Sequence, residues 1–198
     1  MNIQHKLADF VSFFSTDGKP LCTEDFQKYG LQGKFKHYPK NALLMSQGSP
    51  APNLFFITQG DVRYFNVSAE GKEFTQAFAS APCIAGSTRA MTQNTPALFS
   101  IEALDDVICL EFEWHTFFHT MKAHPGFLEA YTQLLENLFI KKEEREYAFV
   151  HHSAEQRYLN FIDRNPELSE RVPLKMVASH IGITPIALSR IRRKLALS

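Results

Sequence analysis

The chain has 198 residues, is 44% hydrophobic, and balances 21 Lys or Arg against 21 Asp or Glu for a formal charge of zero. With 18 Phe residues it is too apolar for a disordered chain, and its length allows one medium domain plus a small one. No stretch approaches the apolar length of a membrane span, and the N-terminal MNIQHKLADFVSFFS holds only a short apolar run, so a cytoplasmic protein is expected. Three widely spaced cysteines, Cys22, Cys83 and Cys109, offer neither a disulfide framework nor a CxxC motif and are expected as reduced, partly buried thiols.

In chain order, a helix is predicted from about Ile3 to Phe14. Residues 35–112 then read as short strands cut by turns: LLMSQG, NLFFITQG, DVRYFNV, a hairpin tip SAEGK, EFTQAFA, and LFSIEAL joined to VICLEF by Asp105-Asp106. Such spacing favours an all-β barrel or sandwich. Gly48, Gly60 and Gly71 fall at strand ends, where a turn needs positive φ. A helix is predicted from Trp114 to Lys122, and a long one from Pro125 to about Val150. In the long helix Leu128, Tyr131, Leu135 and Leu138 alternate by three and four, the pattern of a seam at which two chains pair. A charged run, Lys141 to Glu146, follows. Ser153 with Gln156 makes a capping box, so a new helix starts after a hinge near His151-His152 and ends before Pro166.

The final stretch, Arg171 to Ser198, carries six Lys or Arg and no carboxylate, which leaves fifteen cations against twenty-one carboxylates before it. Its core, VPLKMVASHIGITPIALSRIRRKL, has helix-turn-helix spacing. Ala178 is small enough for a close helix crossing, Gly182 can take the positive φ that ends the first helix, and Leu188 and Ile191 point back into the angle between the two. Val177 and Ile181 complete the first helix's buried stripe. Thr184-Pro185 starts the second helix, predicted to run to about Leu195. Its opposite face is Ile186, Ser189, Arg190, Arg193 and Lys194, a basic surface suited to a DNA major groove.

These blocks together resemble the Crp/Fnr family of bacterial transcription regulators over nearly the whole chain. NLFFITQGDVRYF and FSIEALDD resemble the family's β-roll, and RVPLKMVASHIGITPIALSRIRRKL its DNA-reading end. The resemblance implies an α+β fold: an N-terminal β-roll of double-stranded β-helix or jelly-roll type with flanking helices, a long dimerisation helix and a C-terminal helix-turn-helix without a full wing. It also implies domains at 1–124 (cyclic-nucleotide-binding-like sensor), 125–152 (dimer helix and hinge) and 153–198 (DNA binding).

Departures from the family pattern shape the expected function. Relatives that bind cyclic nucleotide use a Gly-Glu pair for the ribose and an Arg-Ser pair for the phosphate. Here Gly86 is followed by Ser87, and the second pair falls near Ala97-Leu98. Without the arginine a buried phosphate loses its charge-assisted bonds, so cyclic AMP is not expected at ordinary affinity. Gly86, Ser87 and Arg89 are the candidate ligand residues that remain, Arg89 being the one cation in that loop. Cys22 alone cannot hold the iron–sulfur centre of oxygen-sensing relatives. His115 and His119 lie one helical turn apart with His124 beyond, but no further ligand is near, so no metal or haem cofactor is expected. Strand residues 42–112 contain no histidine, which counts against a metal-dependent β-barrel enzyme. In the second helix Ile186 stands where many members carry Glu, and Arg190 matches the family's base-reading Arg.

The expected function is a homodimeric, sequence-specific regulator of promoter DNA under an unidentified small-molecule effector, with RNA polymerase as a further partner and no membrane or enzymatic role. DNA contacts are expected from Lys175, Thr184, Ile186, Ser189, Arg190, Arg192, Arg193 and Lys194. The alternative is a signalling module that senses a small molecule but acts through protein partners, with little DNA binding.

Overall fold

The computed structural model describes residues 33–196 and contains eight strands and seven helices. The helix predicted over Ile3–Phe14 and the thiol of Cys22 lie outside the described residues. The described residues form two compact units, one of residues 33–64 with Phe78–Asn137, the other of Phe65–Ala77 with residues 138–196.

The strands are β1 (Lys34–Tyr38), β2 (Leu43–Met45), β3 (Asn53–Gln59), β4 (Asp61–Val67), β5 (Glu73–Ser80), β6 (Cys83–Ala85), β7 (Ser100–Ala103) and β8 (Val107–Glu113). They form two four-stranded sheets of order β1-β8-β3-β6 and β2-β7-β4-β5, an antiparallel β-roll. Strand β3 reads as an unbroken apolar run because both its faces are covered. Phe55 and Ile57 join Val62, Ile101, Val107 and Cys109 in one cluster, while Leu54 and Phe56 join Leu110 and Phe112 in another. Strand β8 alternates between the same clusters, with Val107 and Cys109 in the first and Leu110 and Phe112 in the second. A side-chain period of two therefore produces both cores from the same strands.

Helices α1 (Thr88–Gln93) and α2 (Trp114–Met121) follow β6 and β8. Helix α2 begins where the Glu113 carboxylate accepts from the His115 and Thr116 amides at 3.0 and 2.7 Å, satisfying two of the helix's free donors. Its Trp114, Phe117 and Met121 close the second cluster together with Phe127 and Ala130. Those two belong to α3 (Phe127–His151), the long helix expected from Pro125 to Val150. Between the β-strands, Gly48, Gly60 and Gly71 take φ of 79°, 93° and 78°, as their turn positions require. At Asp105-Asp106 the Asp105 carboxylate accepts from the Asp61 amide at 2.8 Å, fastening that turn to the start of β4.

The sequence reading lacked β1, β6 and α1. Strand β1, KFKHY, is exposed at four of its five residues, so it has no apolar alternation to read, and it forms through its pairing with β8. Strand β6 has three residues and exists through pairing with β3. In the second unit, α4 (Ala154–Arg164), α5 (Pro166–Arg171), α6 (Leu174–Ile181) and α7 (Pro185–Ala196) complete the chain. The Ser153-Gln156 capping box forms as expected, with Ser153 N–H donating to Gln156 Oε1 at 2.8 Å and Gln156 N–H to Ser153 Oγ at 3.2 Å. Helix α5 was not expected; Pro166 occupies its first turn, where a missing N–H is no loss.

Candidate nucleic-acid interface

Helices α6 and α7 meet through side chains with almost no exposure: Ala178 and Leu188 at 0%, Ile181 at 2% and Val177 at 3%. Ala178 therefore lies at the crossing, as its size suggested. Gly182 ends α6 at φ 77°, its N–H donating to the Ala178 and Ser179 carbonyls, and Ile183 N–H donates to the Ala178 carbonyl at 2.9 Å. A β-carbon at Gly182 would lie 2.6 Å from Phe149 Cε1, so space as well as backbone conformation demands glycine. Thr184 caps α7 through Oγ1, which accepts from Ala187 N–H at 3.2 Å, and Pro185 takes the first helical position.

With Leu188 buried and Ile191 half-buried, α7 leaves Ile186, Ser189, Arg190, Arg192 and Arg193 exposed, Ile186 at 67%. Among the described residues none of the three arginines is paired with a carboxylate. Lys175 on α6 and Thr184 are exposed as well. Lys194 differs from its neighbours: its Nζ lies 2.6 Å from Glu155 Oε2 on α4, so a carboxylate from another helix neutralises it. The face can neutralise phosphates and offer bidentate donors to base edges.

The candidate ligand residues of the roll are brought close together but are already occupied. Ser87 is buried and its Oγ caps α1, accepting from Ala90 N–H at 3.3 Å. A β-carbon at Gly86 would meet Met91 Sδ at 3.2 Å and the Asn53 carbonyl at 3.3 Å. Arg89 is exposed and donates to the Pro96 carbonyl at 3.0 Å, closing its own loop. Ala97 is buried and Leu98 is 61% exposed. With no carboxylate after Gly86 and no cation at Ala97-Leu98, these residues do not fit the ribose and phosphate of a cyclic nucleotide.

On α3, Leu128, Leu135 and Leu138 are exposed at 50%, 38% and 50%. Tyr131 has a different setting: it stacks on Phe127 at 6.0 Å and tilts against Trp114 and Phe118 within its own unit. The exposed stripe instead continues through Phe139, at 62%, and Val150, at 77%. At about 100° per residue, Leu128, Leu135, Phe139 and Val150 fall in an arc of about 60°. The remaining cysteines, Cys83 and Cys109, are thiols rather than disulfide partners, and burial pushes Cys109 up to about 12, helped by Glu111 and opposed by Lys36. His124 is buried with Nδ1 2.9 Å from the Pro125 carbonyl, and no group of three or more His, Cys, Asp or Glu among the described residues could hold a metal ion. No helix among them is long and apolar enough to cross a membrane.

Comparison with known proteins agrees with this architecture. Residues 35–124 match the cyclic nucleotide-binding domain family. Among solved structures, the c-di-GMP responsive global regulator CLP of Xanthomonas campestris matches with a TM-score of 0.73 at 14% identity, over 88% of this chain and 90% of that one. FixK2 of Bradyrhizobium japonicum matches with 0.71 at 14% identity over 84% and 86%, and a CooA mutant of Carboxydothermus hydrogenoformans with 0.70 at 17% over 90% and 81%. No curated protein sequence matches the chain. The roll is thus of the cyclic nucleotide-binding type, and the structural neighbours are transcription regulators. The similarity in fold to CLP, and to a protein of Eubacterium rectale described as of the Crp/Fnr family, extends over 88% and 89% of the chain.

Proposed function

We propose that the chain is a homodimeric, sequence-specific DNA-binding transcription regulator of the Crp/Fnr type, acting at promoters with RNA polymerase and governed by a small-molecule effector at the roll. The observation that carries the reading is the α7 face, whose three arginines, unpaired with any carboxylate among the described residues, stand on a capped helix anchored on its other side by buried Leu188. Ile186, Ser189 and Arg190 face base edges, Ile186 suiting a thymine methyl and Arg190 a guanine. Lys175, Thr184, Arg192 and Arg193 position the helix on phosphates, while Lys194 is held by Glu155. The stripe Leu128-Leu135-Phe139-Val150 joins two copies, so two α7 helices enter successive major grooves about 34 Å apart.

Selection of bound duplexes from a random library at physiological salt tests this. An enriched palindrome is expected, and Arg190→Ala should relax discrimination at one base pair by about 1–3 kcal/mol, whereas Arg193→Ala should weaken all duplexes alike. Failure to enrich any sequence, with or without cell extract as a source of effector, would refute the reading and favour a module acting through protein partners.

A further inference from the structure

The hairpin segment Phe65–Ala77 belongs to the same unit as the helix-turn-helix and is bonded to α6 across a long stretch of sequence. Thr75 N–H donates to Ser179 Oγ at 2.9 Å, and the Ser179 hydroxyl donates to the Glu73 carbonyl at 3.1 Å. Arg145 on α3 donates through Nη2 to the His180 carbonyl at 3.0 Å and the Thr75 carbonyl at 3.4 Å. Its Nη1 lies 3.2 Å from His180 Nδ1. A guanidinium only donates, so the imidazole nitrogen facing it accepts and carries no proton.

A second cation supports the same joint. Arg157 on α4 donates to the Ile181 carbonyl at 2.9 Å and the His152 carbonyl at 2.6 Å. Both guanidiniums lie over the Phe149 ring, at 4.7 and 4.9 Å, and Phe161 tilts against His180 at 5.5 Å. The charge that bears on His180 is that of Arg145 from α3, which in turn lies near Arg157 from α4, and neither arginine is paired with a carboxylate among the described residues. Strand β5 contributes carbonyls, its carboxylate Glu73 being exposed, and Lys175 of α6 is exposed too. A proton on His180 would set a second positive charge directly against the Arg145 guanidinium.

We propose that Arg145, Ser179 and His180 are positioning residues that latch the helix-turn-helix onto the hairpin, and that the latch opens when His180 takes a proton. The proposal rests on the reading of α7 as the DNA-contacting helix. Burial, then Arg145, pushes the latched imidazole down to about 3 from its ordinary 6.5, while the Gln76 and Thr75 carbonyls oppose the shift. Above pH 6.5 neither state binds the proton and the latch is at full strength. As pH falls from there toward 3 only the released state gains it, so the latch weakens. Between pH 7.5 and 5.5 the opening equilibrium should rise about tenfold. A released helix-turn-helix must be ordered at each half-site on binding, so specific affinity falls with the latch.

The test compares wild type with His180→Gln, whose amide oxygen can still accept from Arg145, and with Ser179→Ala. Amide exchange of Thr75, corrected for its intrinsic rate, should show protection falling about tenfold from pH 7.5 to 5.5 in wild type and staying level in His180→Gln. Ser179→Ala should lose Thr75 protection and bind the selected duplex more weakly, the more so at pH 5.5. Protection that ignores pH in wild type, or falls equally in His180→Gln, would overturn the latch. Full duplex affinity in a Ser179→Ala protein with lost protection would overturn the positioning role. Absence of specific binding by wild type at either pH would overturn the proposal through the reading beneath it, and the exchange data would still identify which of the two had failed.

Discussion

Replacing Phe139 with alanine tests which face of α3 joins two copies. Phe139 is 62% exposed in one copy, roughly 120 Å² of a side chain of about 200 Å². At about 25 cal/mol per Å², burying it contributes about 3 kcal/mol, of which an alanine would retain about 1. A two-fold interface counts the change twice, giving about 4 kcal/mol, or roughly a thousandfold in the dimer dissociation constant. The fold of a single copy should hardly change, because so little of the side chain packs within it. Sedimentation equilibrium across a dilution series reads the constant directly. Ile140→Ala is the control: Ile140 is 50% exposed but about 100° further round the helix, and its loss should leave dimerisation intact. Tyr131→Ala should act on folding instead, costing roughly 3 kcal/mol through its lost aromatic packing. An unchanged constant for Phe139→Ala, or an equal loss for Ile140→Ala, would refute the placement of the stripe.

Other outcomes follow from the same geometry. Gly182→Ala should lower stability by about 2–3 kcal/mol in thermal unfolding, combining the left-handed backbone with the clash against Phe149. Gly71→Ala, at a similar φ of 78° with nothing within 4 Å, should lose only about 1, and equal losses would remove the steric share. Glu155→Gln frees Lys194 from its 2.6 Å ion pair. It should steepen the salt dependence of duplex binding by about one unit of slope, and an unchanged slope would place Lys194 away from the phosphates. Cys109, with 0% exposure and a thiol pushed up to about 12, should resist alkylation at pH 8 in the native protein and react after denaturation, as peptide mass spectrometry would read.

The amino-acid sequence by itself determined those features whose energetics are local. The Ser153-Gln156 box, the Thr184-Pro185 start, the Gly182 stop and the glycine turns of the roll each rest on bonds or backbone angles within a few residues, and each can be read from residue identity. The buried stripe of α6 and α7 and the doubly covered strands are likewise written in their periodicity. Tertiary structure decided the rest, because the deciding partners lie far along the chain. Strands β1 and β6 exist through pairing with β8 and β3, and no alternation in KFKHY announces it. Which side of α3 faces outward depended on Trp114, Phe118 and Phe127 claiming Tyr131, a choice the three-and-four spacing leaves open. Lys194 reads as a free cation until Glu155, 39 residues away, reaches it. The bond from Thr75 to Ser179 spans 104 residues, and no local propensity encodes a contact that exists only after the chain has closed that distance.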